Sequence, residues 1–418
     1  MFKFKTNFFV ALKLSSSHEE RKNSVMVRVA TISVAICICV MLLSTFIIRG
    51  FQSTISSKIT GLLSHIDIVD FANKYSDESK PVTIDLPYLS KIDSLPAVKN
   101  IFPYITRGGI VKSSTEQQGM LLRGFNNSYD TTLLNSYIIE GKLPNFDSQN
   151  SKKEILISKK IAQNLNVKIG DNLEMLFIEK IPLRDKFNIV GIYDTSFKEY
   201  DDINIITNIR YLQRLNSWKE NQASGISIEL NSLDDIDSAD DEIYDIIYNN
   251  RSAETSEITV SIKERYGEIF EWLKMQDINE RIIMIIMVIV SAFNMITMML
   301  IIILQKTSMI GIFKSLGMRN STIRSIFIIR LSRIMLWGLF YGNAIALLLS
   351  YLQIKFKFIK LSADSYMLSE VPMLINFSDI LLINIVTFIG LTLLQIIPTM
   401  LISHLSPYKC LKYVSGVK

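Results

Sequence analysis

Cysteine is nearly absent from this chain: Cys37 and Cys39 lie inside an apolar run, and Cys410 lies near the end. The long middle of the sequence has none, so no disulfide framework holds it and its stability must come from a packed core. Histidine is equally scarce. His18, His65 and His404 stand far apart, and no H-E-x-x-H string or cysteine cluster offers ligands to a catalytic metal. No stretch reads G-x-x-x-x-G-K-[ST], the loop whose backbone N–H groups cradle nucleotide phosphates. The chain is therefore read as no enzyme, and any ATP hydrolysis that drives it must come from a separate subunit.

The next absence is of charge within long stretches. Val29 to Ile48, Ile282 to Leu304, Ile334 to Ile354 and Ile380 to Ser403 contain no Asp, Glu, Lys or Arg. Each is long enough to cross a bilayer as helix, which takes about 20 residues. The chain as a whole is 49% hydrophobic and only 20% charged, in keeping with membrane segments. A proton-coupled carrier needs an ionisable group at mid-membrane, and the four runs supply none. Their polar residues, Asn294, Asn343, Asn384 and Gln395, are expected to hydrogen-bond between helices.

Basic residues set the orientation, because short loops rich in Lys and Arg stay in the cytoplasm. Lys306, Lys314, Arg319, Arg324, Arg330 and Arg333 fill residues 305–333 without an acid, and Lys409, Lys412 and Lys418 follow the last run. Residues 49–280 hold 26 basic against 35 acidic residues, a net charge of −9 that leaves +14 for the remainder. The resulting map has a cytoplasmic amphipathic segment at 1–24, spans at 25–48, 281–304, 334–354 and 380–403, and an outer domain with a stalk at 49–280. It also has an inner loop at 305–333, a short outer loop at 355–379 and an inner tail at 404–418. Both termini face the cytoplasm on this map.

The outer segment reads as mixed α and β. Strands are expected at Asp67–Phe71, Ile101–Ile105, Gly109–Lys112, Glu154–Ile157, Asn172–Phe177, Phe187–Tyr193, Asn204–Ile206 and Gly225–Leu230. Helices are expected at Lys159–Leu165, Ile209–Leu215 and Asp234–Asn249. No Pro or Gly interrupts Glu268–Leu304, so the second span is expected to extend outward as a rigid stalk. Asp201 and Asp202 read as solvated loop charges.

The inner loop reads QKTSMIGIFKSLGMRNSTIRSIFIIR from Gln305 to Arg330. Ile310, Phe313, Leu316 and Gly317 form an apolar stripe at helical spacing, with Lys314, Arg319 and Arg324 on other faces. Such a helix either plugs into a groove on a cytosolic partner or lies on the lipid surface.

IGIFKSLGMRNSTI at Ile310–Ile323 and LSPYKCLKY at Leu405–Tyr413 resemble the inner loop and the ending of the FtsX-like permease family of ABC transporters. EILISKKIAQNLNVKIGD at Glu154–Asp171 and Phe187–Asn216 are similar to segments of the same family. Gly50–Ile66 and Tyr366–Asn384 resemble its lipoprotein-releasing subgroup in particular. The resemblance implies a membrane protein with four transmembrane α-helices and a large α+β periplasmic domain of two lobes, a MacB-like periplasmic core, inserted between helices 1 and 2. It places an FtsX-like permease domain at about 281–410 in the inner membrane.

It further implies a pair of permeases, homodimeric or heterodimeric, each docking a cytosolic ATPase through a coupling helix. Ile310, Gly311, Phe313, Lys314, Leu316, Gly317 and Met318 match that element. ATP and Mg are used by the ATPase, and this chain is expected to bind no cofactor. The implied substrate is a lipoprotein drawn from membrane lipid and passed to a periplasmic carrier, with no nucleic acid involved. The hairpin FIEKIPLRDK, Phe177–Lys186, corresponds to a carrier-recruiting hook, which makes Ile181, Pro182 and Leu183 candidate contacts against the plainer reading of an ordinary turn. Two alternatives stay open at this point: a mechanotransmission permease of an efflux machine, and a non-transporting regulator of a periplasmic hydrolase.

Overall fold

The computed structural model describes residues 20–74, 80–112, 117–147, 153–178, 182–250, 256–362 and 366–404. In chain order they form helix α1 (Glu20–Leu63), strands β1 (Ile66–Asp70), β2 (Val82–Thr83), β3 (Val98–Lys112), β4 (Gln117–Phe125), β5 (Ile138–Gly141) and β6 (Glu154–Ser158), and helix α2 (Lys159–Leu165). Strands β7 (Asn172–Phe177), β8 (Leu183–Tyr193) and β9 (Asn204–Asn208) lead to helix α3 (Ile209–Leu215), then β10 (Gln222–Ala223), β11 (Gly225–Leu230), helix α4 (Ile236–Asn250) and β12 (Glu257–Ser261). Helices α5 (Gly267–Gln305), α6 (Thr307–Ser315), α7 (Asn320–Phe356) and α8 (Phe377–Leu394) follow. The chain divides into two compact units. One holds residues 1–52, 273–359 and 371–418, and the other holds 53–272 and 360–370.

In the α/β unit, ten strands share one sheet in the order β12-β1-β11-β3-β4-β9-β6-β8-β5. The remaining strand of that sheet, β7, pairs with both β8 and β3. The sheet therefore closes on itself through β3, β4, β9, β6, β8 and β7, while β12, β1 and β11 continue from the other half of β3 as an open wing. Closure needs a long strand. β3 pairs with β11 over Val98–Tyr104 and with β4 over Tyr104–Lys112. The two strands expected at Ile101–Ile105 and Gly109–Lys112 are thus one. The Gly108–Gly109 pair mimics a turn signal, but the ladder to β4 runs straight through it.

The ring encloses an apolar core. Leu173, Met175 and Phe177 alternate inward along β7 and meet Phe187, Ile189, Ile155, Ile157, Met120 and Leu122. Helices α2 and α3 cap this core with Ile161, Leu165, Ile209 and Leu212. Local signals fix both helices: the Ser158 hydroxyl accepts the Ile161 N–H at 3.0 Å, and the Asn208 side chain accepts the Arg210 N–H at 2.7 Å. Asp201, read from sequence as solvated, is buried. It accepts the Thr195 N–H and hydroxyl, and desolvation pushes its carboxyl up to about 6.

Among the described residues, four helices are long and apolar enough to cross a membrane. Their core joins Ile38, Met41, Leu42 and Phe46 of α1 to Met295, Met299 and Ile303 of α5 and to Phe327, Leu331 and Met335 of α7. Small residues let α7 approach α1. A Cβ on Gly338 would lie 2.8 Å from Val34, and one on Gly342 would lie 2.7 Å from the Ala35 carbonyl oxygen. Ala346 and Ser350 prolong this buried stripe at the same four-residue spacing.

Candidate functional site

The segment between α5 and α7 is shorter than a loop over 305–333 and is largely helical. Helix α6 ends at Ser315, and α7 already begins at Asn320, so Ile323, Ile326 and Phe327 belong to the next helix and are buried in it. The third apolar helix therefore starts well before residue 334. Its basic residues Arg324, Arg330 and Arg333 masked this in the sequence, because they sit on the turns between buried positions.

The end of α6 is built by one glycine. Gly317 has φ +77, in the left-handed region that costs other L-residues energy. The Met318 N–H donates to the Phe313 carbonyl and the Gly317 N–H to the Lys314 carbonyl, both at 3.0 Å. This hydrogen-bond pair is the Schellman termination, in which the residue beyond the glycine folds back onto the last turn. Phe313 and Met318 accordingly pack on the same core cluster.

The candidate residues divide into two sets. Ile310 and Gly311 are buried, Phe313 and Met318 are partly buried, and Lys314 donates to the Ile402 carbonyl at 2.6 Å. These five hold α6 to its own helical unit. Ile310 is thus turned into its own helical unit with Phe313 packed on the same cluster, and Leu316 and Gly317 lie beyond the helix rather than on its face. What points outward is Leu316 at 77% exposure, with Ile312, Ser315, Gly317 and Arg319 around it. Ile312 was missed in the sequence because its neighbour Ile310 fits the helical stripe better.

The candidate hairpin is the β7–β8 connection. The two strands stay paired to Phe177↔Leu183. Ile181 lies outside the described residues, Pro182 precedes β8, and Leu183 is its first residue. Exposed Ile178 and Leu183 flank the gap as an apolar pair at the strand ends.

A family model described as the MacB-like periplasmic core domain matches residues 29–246, and one described as the FtsX-like permease C-terminal domain matches residues 281–407. The chain belongs to this permease family. Curated relatives carry its length. The permease is 26% identical to the lipoprotein-releasing system transmembrane protein LolC of Buchnera aphidicola subsp. Schizaphis graminum over 84% of each chain. It is 20% identical to the protein of the same name from Xylella fastidiosa strain 9a5c, over 97% of this chain and 98% of that one. Among solved structures, the extracellular domain of the ABC-type transporter YknZ aligns with 47% of the permease and 99% of its own chain, at 16% identity and a TM-score of 0.33.

Within the permease's helical unit, polar residues join helices in pairs. Asn343 of α7 and Asn384 of α8 donate to each other's side-chain oxygens at 2.7 and 2.9 Å, and each also donates to the carbonyl four residues back. Asn294 of α5 donates to the Ser33 hydroxyl of α1. Three of the four polar residues named from the sequence thus bond between helices; the fourth, Gln395, does not, its buried side-chain amide having no hydrogen-bond partner among the described residues. The Thr45 hydroxyl donates to Glu280 at 2.6 Å, and the Gln52 amide to Asp277 at 2.7 Å and to the Leu273 carbonyl at 3.2 Å. All three join α1 to α5 and have no signature in the sequence, since each needs the register of two distant helices.

Proposed function

We propose that this chain is the permease subunit of an inner-membrane ABC transporter that extracts lipoproteins for delivery to the outer membrane. The observation that carries this reading is the match to proteins named for lipoprotein release over nearly the whole of both chains. A separate cytosolic subunit binds ATP and Mg and docks on the exposed rim of α6, with Leu316 and Ile312 as its apolar anchors. A second permease subunit completes the pair, and a related protein named LolE, 19% identical over 77% of this chain, is the kind of partner a heterodimer would use.

The chemistry asked of this chain is mechanical. Helix α6 is fastened to its own helical unit by buried Ile310 and Gly311 and by the Lys314 ammonium on the Ile402 carbonyl. A displacement of the ATPase at Leu316 therefore moves the helical unit instead of bending a slack loop. Pro182 and Leu183 with Ile178 are the proposed carrier contact at the tip of the β7–β8 hairpin, and Ile181 completes it in sequence.

The test is copurification from native membranes after gentle solubilisation, with mass spectrometry of every stoichiometric partner. An ATPase, a second permease and bound lipoprotein are the expected set. An outer-membrane channel with an adaptor in place of lipoprotein would replace this reading with efflux, and absence of any ATPase would refute it.

A further inference from the structure

Helix α1 carries a lysine at a position that the fold buries among apolar side chains. Lys58 is buried, 8% exposed, near the end of that helix among buried Ile55, Ile59 and Leu62. Burying an ammonium is unfavourable unless its donors are satisfied. Its Nζ donates to the Thr195 carbonyl at 2.6 Å and to the Met367 carbonyl at 2.9 Å, and the Tyr137 ring lies 5.9 Å away. Asp194 and Asp201 add negative charge on the same side. Three segments meet at one side chain: the end of α1, the turn after β8, and residues 360–370 between α7 and α8.

One acceptor sits at a left-handed residue and the other directly before one. Met367 has φ +57, and Ser196, which follows Thr195, has φ +56. Neither is glycine, and left-handed backbone at such residues persists only where surroundings over-determine it. The described ends of segment 360–370 pair with each other. The Leu361 N–H donates to the Ser369 carbonyl at 3.0 Å, the Lys360 and Glu370 backbones form an isolated antiparallel β-bridge, and Leu368 is buried. Although this segment connects two apolar helices, it packs in one compact unit with residues 53–272.

We infer that Lys58 is a positioning residue that clasps the 360–370 segment onto the α/β unit, giving that unit a third link to the membrane helices besides α1 and α5. The link matters for energy use. With the clasp closed, motion of α7 and α8 reaches the α/β unit through Met367 as well as through the helices that enter it. With the clasp open, α7 and α8 move without loading that unit, and ATP is hydrolysed without useful work. This last consequence rests on the transporter reading above, whereas the clasp itself does not.

The experiment uses the full chain in its assembly with ATPase and partner permease, comparing wild type, Lys58→Met, Lys58→Arg and Leu361→Pro. The proline variant removes the amide that closes the segment and leaves Lys58 in place, so the idea stays testable if Lys58→Met fails to fold. Hydrogen exchange should accelerate at least tenfold over residues 361–371 in Lys58→Met and Leu361→Pro, with β3 and β8 unchanged. In proteoliposomes, release of a triacylated lipoprotein should drop at least tenfold while ATP hydrolysis stays within twofold, and Lys58→Arg should recover at least half of the release. Unchanged exchange overturns the clasp, and so does a parallel loss of hydrolysis and release. If the wild-type assembly releases no lipoprotein, the transporter reading fails and exchange alone decides the clasp.

Discussion

Gly317→Ala is the sharpest probe of the proposed docking element, because it separates backbone conformation from side-chain size. No heavy atom lies within 4 Å of where a Cβ on Gly317 would sit, so alanine adds no clash. The whole effect is the left-handed penalty at φ +77, about 1–2 kcal/mol for an L-residue. That energy is a factor of about 5–30 in an equilibrium constant. It is spent at the turn that orients Leu316, so it should appear in ATPase affinity and hardly in global stability. The assay is a titration of purified ATPase against the permease in detergent. Alanine should weaken binding by that factor. Asparagine, which tolerates left-handed backbone, should weaken it less, and valine more. Equal affinity for wild type, alanine and valine would refute the claim that this turn is the docking geometry.

Four further outcomes follow from the same structure. Leu316→Asp should cost at least tenfold in ATPase affinity with no loss of fold, as Leu316 is 77% exposed in the free chain, and normal copurification of the ATPase would exclude it as an anchor. Gly342→Val should lower the melting temperature in detergent, since its Cβ would meet the Ala35 carbonyl oxygen at 2.7 Å and overpacking costs about 1–3 kcal/mol; Gly390→Ala, which meets nothing, is the control. Asn343→Leu should destabilise by about 1 kcal/mol by leaving the Asn384 amide without its partner, and the double leucine variant should regain more than half of that. The pH profile should contain two opposed contributions. Asp201 is held up at about 6, so its contribution to stability is lost as pH rises from about 4 to about 6. His65 is held down at about 4 by burial, so its contribution is lost as pH falls from about 6.5 to about 4. Melting curves of Asp201→Asn and His65→Gln should diverge from wild type with opposite slopes in that window.

The four apolar helices were legible because absence of charge is a property of the local sequence; the stop at Gly317 was not, since helical spacing set that glycine on the apolar stripe and only its left-handed backbone shows the end of the helix. Capped helices such as Lys159–Leu165 were legible from the local sequence as well, since Ser158 announces the start. The closed ring was not. β4 is buried on both faces over Leu122–Phe125, which erases the alternation that marks a strand. The pairing of β7 with β3 joins residues far apart in the chain, and no local pattern encodes it. The candidate site was half legible. Periodicity located the amphipathic stripe of α6, but it cannot say whether a stripe faces a partner, lipid or its own protein, and Ile310 turned out to face its own protein. Lys58 was passed over because a single lysine among polar residues looks solvated until distant carbonyls are brought to it.

The closed ring of strands also bears on how such proteins diversify. Every strand in it is hydrogen-bonded on both sides, and β7 and β8 remain in register up to Phe177 and Leu183 whatever lies between them. Chain added or deleted at that tip leaves the ladder intact, and lengthening a surface connection costs little, about 0.6 kcal/mol for each doubling. The sequence of the tip is thereby insulated from folding. A lineage can change the tip by insertion and deletion alone, while the ring, with its buried Phe177 and Phe187, remains the same scaffold.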